Sequence, residues 1–181
     1  MSVICDQGWL AGAKPYPSPN QGERPADADI SLLVIHNISL PPGQFGGGYI
    51  AQFFGNTLKP EEHPYFAEIS ELHVSAHLLI DRKGAVTQFV PFARRAWHAG
   101  ESSFDNCVNC NDYSIGIELE GTDTEPYSDS QYDSLLKVCE RLLSHYPALT
   151  AQRIVGHSDI APGRKTDPGP AFDWPRLLTQ L

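Results

Sequence analysis

Ser31-Leu-Leu-Val-Ile-His36-Asn37 is an apolar run bounded by polar residues, too short for a helix and rich in branched side chains, so it reads as a buried strand. Tyr113-Ser-Ile-Gly-Ile-Glu118-Leu-Glu-Gly121 alternates Ile115, Ile117 and Leu119 with other residues, the period-two pattern of a strand with one face buried. Glu118 and Glu120 then share the opposite face. His73-Val-Ser-Ala-His-Leu-Leu-Ile-Asp81 and Ala85-Val-Thr-Gln-Phe-Val90 flank Arg82-Lys83-Gly84 and read as a β-hairpin. Arg153-Ile-Val-Gly-His157 reads as a further short strand ending on a histidine.

Between these runs the period changes. Ser128 and Gln131 have the spacing of a capping box. After them Tyr132, Leu135, Leu136, Cys139, Leu142, Leu143 and Tyr146 form one stripe at helical spacing, closed by Pro147. A short helix is expected over Tyr49 to Phe54 and another from about Asp173. Leu40-Pro-Pro-Gly-Gln-Phe-Gly-Gly-Gly48 is a loop, and a polar, proline-punctuated stretch continues through Pro60 to Pro64. Residues 1–30 read as an extended N-terminal arm. Strands and helices mixed in this order predict an α/β fold, a single domain over residues 1–181 with a mixed central β-sheet flanked by helices.

A chain of 181 residues suits one domain that buries about two-thirds of its unfolded surface. The formal charge of −9 argues against a nucleic-acid partner, whose footprint should be basic, but leaves room for a local basic pocket. The N-terminus has no basic n-region followed by an apolar core, and no apolar run is long enough to span a bilayer. A cytoplasmic protein with no membrane partner is expected. In that compartment Cys5, Cys107, Cys110 and Cys139 are expected as free thiols. Cys107 and Cys110 form a C-x-x-C without a second pair at finger spacing, a weak zinc half-site.

A catalytic zinc takes three protein ligands and leaves a fourth position open. His36 and His157 end strands and Asp167 sits in the loop after His157, so the three can converge at one sheet edge. Seven histidines permit many other triplets, and spacing alone does not choose. Along a strand, His73 and His77 lie over ~12 Å apart, so they read as structural or pocket residues instead.

The blocks around the candidates are more specific. Gly156-His157-Ser-Asp-Ile-Ala-Pro-Gly-Arg164-Lys165-Thr166-Asp167-Pro168-Gly169 resembles the C-terminal zinc motif of the N-acetylmuramoyl-L-alanine amidases, and Val34-Ile-His36-Asn37-Ile-Ser-Leu-Pro-Pro-Gly43 resembles their N-terminal ligand motif. Cys110-Asn-Asp-Tyr-Ser-Ile-Gly-Ile-Glu118-Leu-Glu-Gly-Thr-Asp123 is similar to their central strand. Arg95-Ala-Trp97-His98-Ala-Gly100 and Asp167-Pro-Gly-Pro-Ala-Phe-Asp-Trp174 are similar to further blocks. The resemblance runs from about Trp9 to Trp174.

The resemblance implies the fold shared with T7 lysozyme and animal peptidoglycan-recognition proteins. It implies one Zn2+ per chain on His36, His157 and Asp167, with Glu118 as general acid and base and Lys165 stabilising the oxyanion. Glu120, on the same strand face, is the rival for the acid–base role, and only the resemblance selects Glu118. Asn37, Trp97, His98 and Arg164 are candidate substrate contacts; core packing for Trp97, a turn role for Asn37 and a solvated loop for Arg164 and Lys165 are the alternatives. The implied activity is hydrolysis of the amide between (1,6-anhydro-)N-acetylmuramic acid and L-alanine, on a small anhydro-muropeptide in cell-wall recycling, by a monomer. The competing class is a non-catalytic peptidoglycan-binding module of the same fold. Two departures bear on specificity: several cytoplasmic family members carry arginine where this chain has His73, and a basic residue where it has Asn109. Arg164 is the candidate to meet substrate carboxylates in their place.

Overall fold

The computed structural model describes residue 4 and residues 8–181; Cys5 lies outside the described residues. Along the chain run β1 (Lys14–Pro15), β2 (Gln21–Glu23), β3 (Leu32–Ile38), α1 (Tyr49–Phe54), α2 (Pro64–Ile69), β4 (Leu78–Ile80), β5 (Val86–Gln88) and β6 (Arg94–Ala96). There follow β7 (Ser103–Phe104), β8 (Cys107–Val108), β9 (Ser114–Glu120), α3 (Asp129–His145), β10 (Ile154–Gly156), α4 (His157–Ile160) and α5 (Trp174–Leu178).

Six of the strands form one sheet in the order β1-β5-β4-β9-β3-β10. All its pairings are parallel except β4 with β5, so the sheet is mixed, as expected. β3 and β9 are the long central pair, in register from Leu32↔Ser114 to Ile38↔Glu120. Residues paired in this way project to the same face, and alternate residues to opposite faces.

One face carries Leu33, Ile35, Ile115, Ile117 and Leu119, packed with Leu135, Val138, Cys139 and Leu142 of α3 and Leu177 of α5 in a single core. The other face carries Val34, His36, Gly116 and Glu118. It is covered by two smaller clusters, one built on Phe53, Phe54, Phe66 and Ile69, the other on Ala99, Cys110 and Ile160. β9 is therefore buried on both faces and not one, as is usual for a strand flanked by parallel neighbours.

α3 begins as its sequence dictates. The Ser128 hydroxyl accepts from the Gln131 N–H, and the Gln131 side chain accepts from the Ser128 N–H, each at 3.1 Å. The same fully buried Gln131 amide donates to the carbonyls of Ile80 and Glu120, fastening the helix start to the ends of β4 and β9. Val138 joins the buried stripe, while Leu136 and Leu143 pack at its margin.

Other local readings need correction. His157 opens α4 and does not end a strand; Asp159 accepts from the Gly156 N–H at 2.7 Å and turns the chain there. The segment 73–77 belongs to no strand, and only its last residue continues the hairpin: the His77 carbonyl accepts from the Phe89 N–H at 2.9 Å, while its N–H donates to the Gly116 carbonyl of β9. Where a loop reading ran to Pro64, a helix begins: Pro64 supplies its first position and the His63 ring accepts from the Tyr65 N–H.

In the N-terminal stretch β1 joins the sheet edge and β2 pairs with β6. Cys107, Cys110 and Cys139 are free thiols, as expected. Among the described residues no helix is long and apolar enough to cross a membrane.

Leu135 is fully buried in the α3 core on the face of the sheet away from His36 and Glu118. Leu135→Ala is expected to lower stability by about 2–5 kcal/mol in urea titrations followed by circular dichroism. A loss of less than a few tenths would mean that α3 is not cemented by this stripe.

Candidate active site

The pairing of β3 with β9 sets His36 beside Glu118 on one face. β10 extends that arrangement on the other side of β3, pairing Val155 with Val34, so that His157 emerges two residues on along the same face. These are the carboxyl ends of parallel strands, where the crevice of an open α/β sheet lies.

Asp167 arrives from the following loop, which is held at several points. Its carbonyl accepts from the Ser158 N–H at 3.0 Å. The next carbonyl, that of Pro168, accepts from Asn37 Nδ2 at 3.2 Å and from the Tyr127 hydroxyl at 2.8 Å. Gly169, at φ 79°, lies so close to Asp123 that a Cβ would sit 2.3 Å from its Cα, so no side chain fits there.

The result is a triangle of donors. His36 Nδ1 lies 3.0 Å from His157 Nδ1 and 3.0 Å from Asp167 Oδ2, and His157 Nδ1 lies 3.1 Å from the same oxygen. The outer nitrogens are engaged elsewhere. His157 Nε2 donates to the Ala99 carbonyl at 3.0 Å, and His36 Nε2 meets His98 Nδ1 at 2.9 Å, with His98 Nε2 in turn 3.0 Å from Ser114 Oγ.

With its proton committed to Ala99, His157 turns a lone pair toward another ring nitrogen and a carboxylate oxygen. That arrangement is repulsive unless a cation or proton lies between the three. Two imidazoles and a carboxylate within reach of one point are a donor set that suits zinc, whose bonds of about 2.0–2.1 Å span such a triangle. Among the described residues this is the group of His, Cys, Asp and Glu that can hold a metal ion.

Burial sets the protonation states. Desolvation lowers the His36 pKa to about 4, against the pull of its bond to Asp167, so the ring is neutral and its lone pair is available at pH 7. Burial opposes ionisation of Asp167, but bonds to His157 and His36 outweigh it and hold the carboxyl below the usual range. Glu118 is the reverse case. Desolvation, with the Asp167 charge adding to it, raises its pKa well above the ordinary value, and Lys165 only partly offsets this. Its Oε2 is buried without a hydrogen-bond partner.

Geometry also separates the two glutamates. Glu120 gives one oxygen to the Gly46 N–H at 2.6 Å and the other to the Arg82 N–H at 3.2 Å, fastening the glycine-rich loop. Glu118 lines the cavity; Glu120 does not.

That cavity measures about 750 Å³. One wall is apolar, with Leu40, Phe53, Ile69 and Leu72, and the other carries Arg95, Trp97, His98, Arg164 and Lys165 beside the donor triangle. Arg95, Arg164 and Lys165 thus bring positive charge to the lining, beside the carboxyls of Glu118 and Asp167. His73 lines it too, and Arg164 also lines a neighbouring hollow of about 520 Å³ with Asn109 and Glu101.

The sequence-picked contacts are all at this cavity, with particular tasks. Asn37 donates to Asp123 at 2.8 Å as well as to Pro168, bracing the Asp167 loop. His98 backs His36 and stacks over Gly116, where an added Cβ would lie 2.4 Å from the ring. Arg164 donates to the carbonyls of Ala99 and Glu101. Sequence reasoning passed over Asn111, Ser114 and the Ala99 carbonyl, because a small polar residue or a backbone oxygen carries no chemical signature of its own.

Residues 26–170 match the N-acetylmuramoyl-L-alanine amidase family. The chain belongs to that family. The amidase is 56% identical over 179 residues to the 1,6-anhydro-N-acetylmuramyl-L-alanine amidase AmpD of Enterobacter cloacae, an alignment that spans 99% of this chain and 95% of the relative. Its fold matches the crystal structure of a selenomethionine AmpD derivative with a TM-score of 0.94 at 56% identity, over 98% of this chain and 99% of that one. A more distant match is AmiD from Escherichia coli, solved in complex with the substrate anhydro-N-acetylmuramic acid-L-Ala-D-gamma-Glu-L-Lys: TM-score 0.62, 28% identity, 87% of this chain and 60% of that one. The mixed sheet flanked by helices is thus the family architecture.

The raised Glu118 pKa has a consequence for stability. Below the unfolded value of about 4.3 the carboxyl is neutral in both states and costs nothing. As pH rises toward the folded value, the unfolded chain releases a proton that the native site retains, and stability falls. In chelator-treated protein, Glu118→Gln is expected to raise the thermal midpoint relative to the parent, by a margin absent at about pH 4 and growing as the pH is raised through neutrality. Superimposable midpoints across that range would contradict the assigned burial penalty.

Proposed function

We propose that the amidase hydrolyses the amide between 1,6-anhydro-N-acetylmuramic acid and L-alanine, with one zinc ion held by His36, His157 and Asp167. The observation that carries this reading is the donor triangle beside an unpartnered buried carboxyl, at the foot of a cavity of about 750 Å³. The identity with AmpD over almost the whole chain supports the anhydro-muropeptide as substrate class. In this reading the whole chain acts as one domain and as a monomer in the cytoplasm, on small products of cell-wall turnover.

When bound, zinc supplies Lewis acidity, making water a stronger acid and the amide carbonyl a better electrophile. The protein residues do the rest. Burial keeps His36 neutral and so able to offer its lone pair at physiological pH. Glu118 takes a proton from the attacking water as the new C–O bond forms, and hands it to the alanine nitrogen as the C–N bond breaks. Burial alone keeps the Glu118 carboxyl protonated, but a divalent cation on the neighbouring donors would favour its ionised form, as Lys165 does, so that it could accept the water proton and then release it to the more basic amine. Lys165, exposed at the cavity wall, brings a positive charge to the carbonyl oxygen as it gains negative charge. In this reading Trp97 and the apolar lining meet the sugar, and Arg164 meets the carboxylates of the stem peptide.

The test is to incubate zinc-loaded protein with anhydro-muramyl-tripeptide and follow the products by mass spectrometry. Free tripeptide and anhydro-sugar are expected, with turnover abolished by chelation and lowered roughly 10²–10⁴-fold by Glu118→Ala. Asp167→Ala is expected to lose both stoichiometric zinc and turnover. Substrate left intact at high enzyme concentration points to a binding module instead. Full turnover in Asp167→Ala while the parent holds zinc tightly would overturn the ligand assignment.

A further inference from the structure

Both candidate histidine ligands depend on acceptors that lie next to each other in the chain. His36 Nε2 meets His98 Nδ1, and His157 Nε2 donates to the carbonyl of Ala99. Residues 97–100 follow β6 and belong to no strand; Trp97 is held by Ser75, but no ladder of backbone bonds continues to His98 and Ala99. One side chain takes its place. Asn111 Oδ1 accepts the backbone N–H of His98 at 3.0 Å and that of Ala99 at 2.9 Å.

Asn111 is itself buried, 7% exposed, and its own backbone is pinned. Its carbonyl accepts from Arg24 Nη1, and the same guanidinium donates to the carbonyls of Phe92, Asp112 and Ser114. Arg24 makes these bonds from a half-buried position, where desolvation lowers its pKa to about 10 and leaves it charged at pH 7. On the far side Arg164 Nη2 also donates to the Ala99 carbonyl, but from an exposed loop.

A metal-binding histidine is aimed by the acceptor of its outer N–H, which fixes both ring orientation and tautomer. Such acceptors usually stand on separate elements. Here both hang from one amide oxygen, so a shift of the 98–99 segment moves both rings together. We infer that Asn111 is a positioning residue for the metal centre, aiming His36 and His157 at once through His98 and Ala99. The inference rests on the reading of His36, His157 and Asp167 as metal ligands.

The test is an equilibrium competition for zinc between the full-length protein and a chromophoric chelator, run for the parent, Asn111→Ala, Asn111→Asp and Leu135→Ala. Asn111→Ala, which leaves both N–H groups without their acceptor, is expected to bind zinc about 10–100-fold more weakly. Asn111→Asp keeps an oxygen in place and is expected to restore most of the affinity. Leu135→Ala loosens the core on the opposite face and should bind as the parent does, which separates aiming from general loss of stability. Nitrogen chemical shifts of the two rings should also show the outer N–H of His36 and His157 less uniquely placed in zinc-loaded Asn111→Ala. If that variant does not fold, Asn111→Ser, whose hydroxyl stops short of both N–H groups, gives the same readout. Parental zinc affinity in a folded Asn111→Ala or Asn111→Ser, or an equal loss in Leu135→Ala, would overturn the inference. A parent that takes up no zinc would remove the metal reading beneath it, a different failure seen in a different sample.

Discussion

The in-register parallel pairing of Leu32–Ile38 with Ser114–Glu120 puts residue 36 beside residue 118, and every other part of the site is placed relative to that pair. Parallel strands present paired residues to the same face, so a histidine and a carboxyl become neighbours without any loop having to bring them together. A slip of one residue in either strand would turn that strand's polar side chain toward the α3 core. The apolar residues Leu33, Ile35, Ile115 and Ile117, interleaved with the polar ones, hold the register because those of the slipping strand would lose their place in the α3 core. The hydrophobic effect on one face thus sets the chemistry of the other.

That chemistry comes from withholding water. The buried His36 stays neutral, a buried glutamate resists ionisation, and the aspartate that ionises does so because two imidazoles face it. These states oppose one another within a few ångströms, and they suit a cation at the meeting point of the three donors. The same burial that makes Glu118 useful as a proton carrier makes it a burden on the fold, a trade common at catalytic positions.

Much of this was legible in the residues themselves. The period-two alternation around Glu118 and the capping box at Ser128 are local signals, and local physics fulfils them. The grouping of His36, His157 and Asp167 was legible only through the resemblance of whole blocks, since spacing does not report which of seven histidines converge. The choice between Glu118 and Glu120 was not legible at all from a single strand. It depends on what reaches each carboxyl from elsewhere: backbone N–H groups of Gly46 and Arg82 for one, nothing for an oxygen of the other. α2 escaped notice because its start is marked by a proline and a histidine cap, in a stretch whose prolines suggest irregular chain. The support given by Asn111 was invisible for the same reason as the Glu120 clasp, being a matter of contacts between segments distant in sequence.

Position 116 shows what such contacts mean for a lineage of sequences. The ring of His98 fills the volume that a side chain on Gly116 would need: a Cβ there would lie 2.4 Å from it. In genetic terms the two positions form an epistatic pair. Alanine at 116 is a lesion while histidine stands at 98, and becomes acceptable only beside a smaller residue there, which would leave His36 without its acceptor. A different backing for His36 therefore requires positions 98 and 116 to change together.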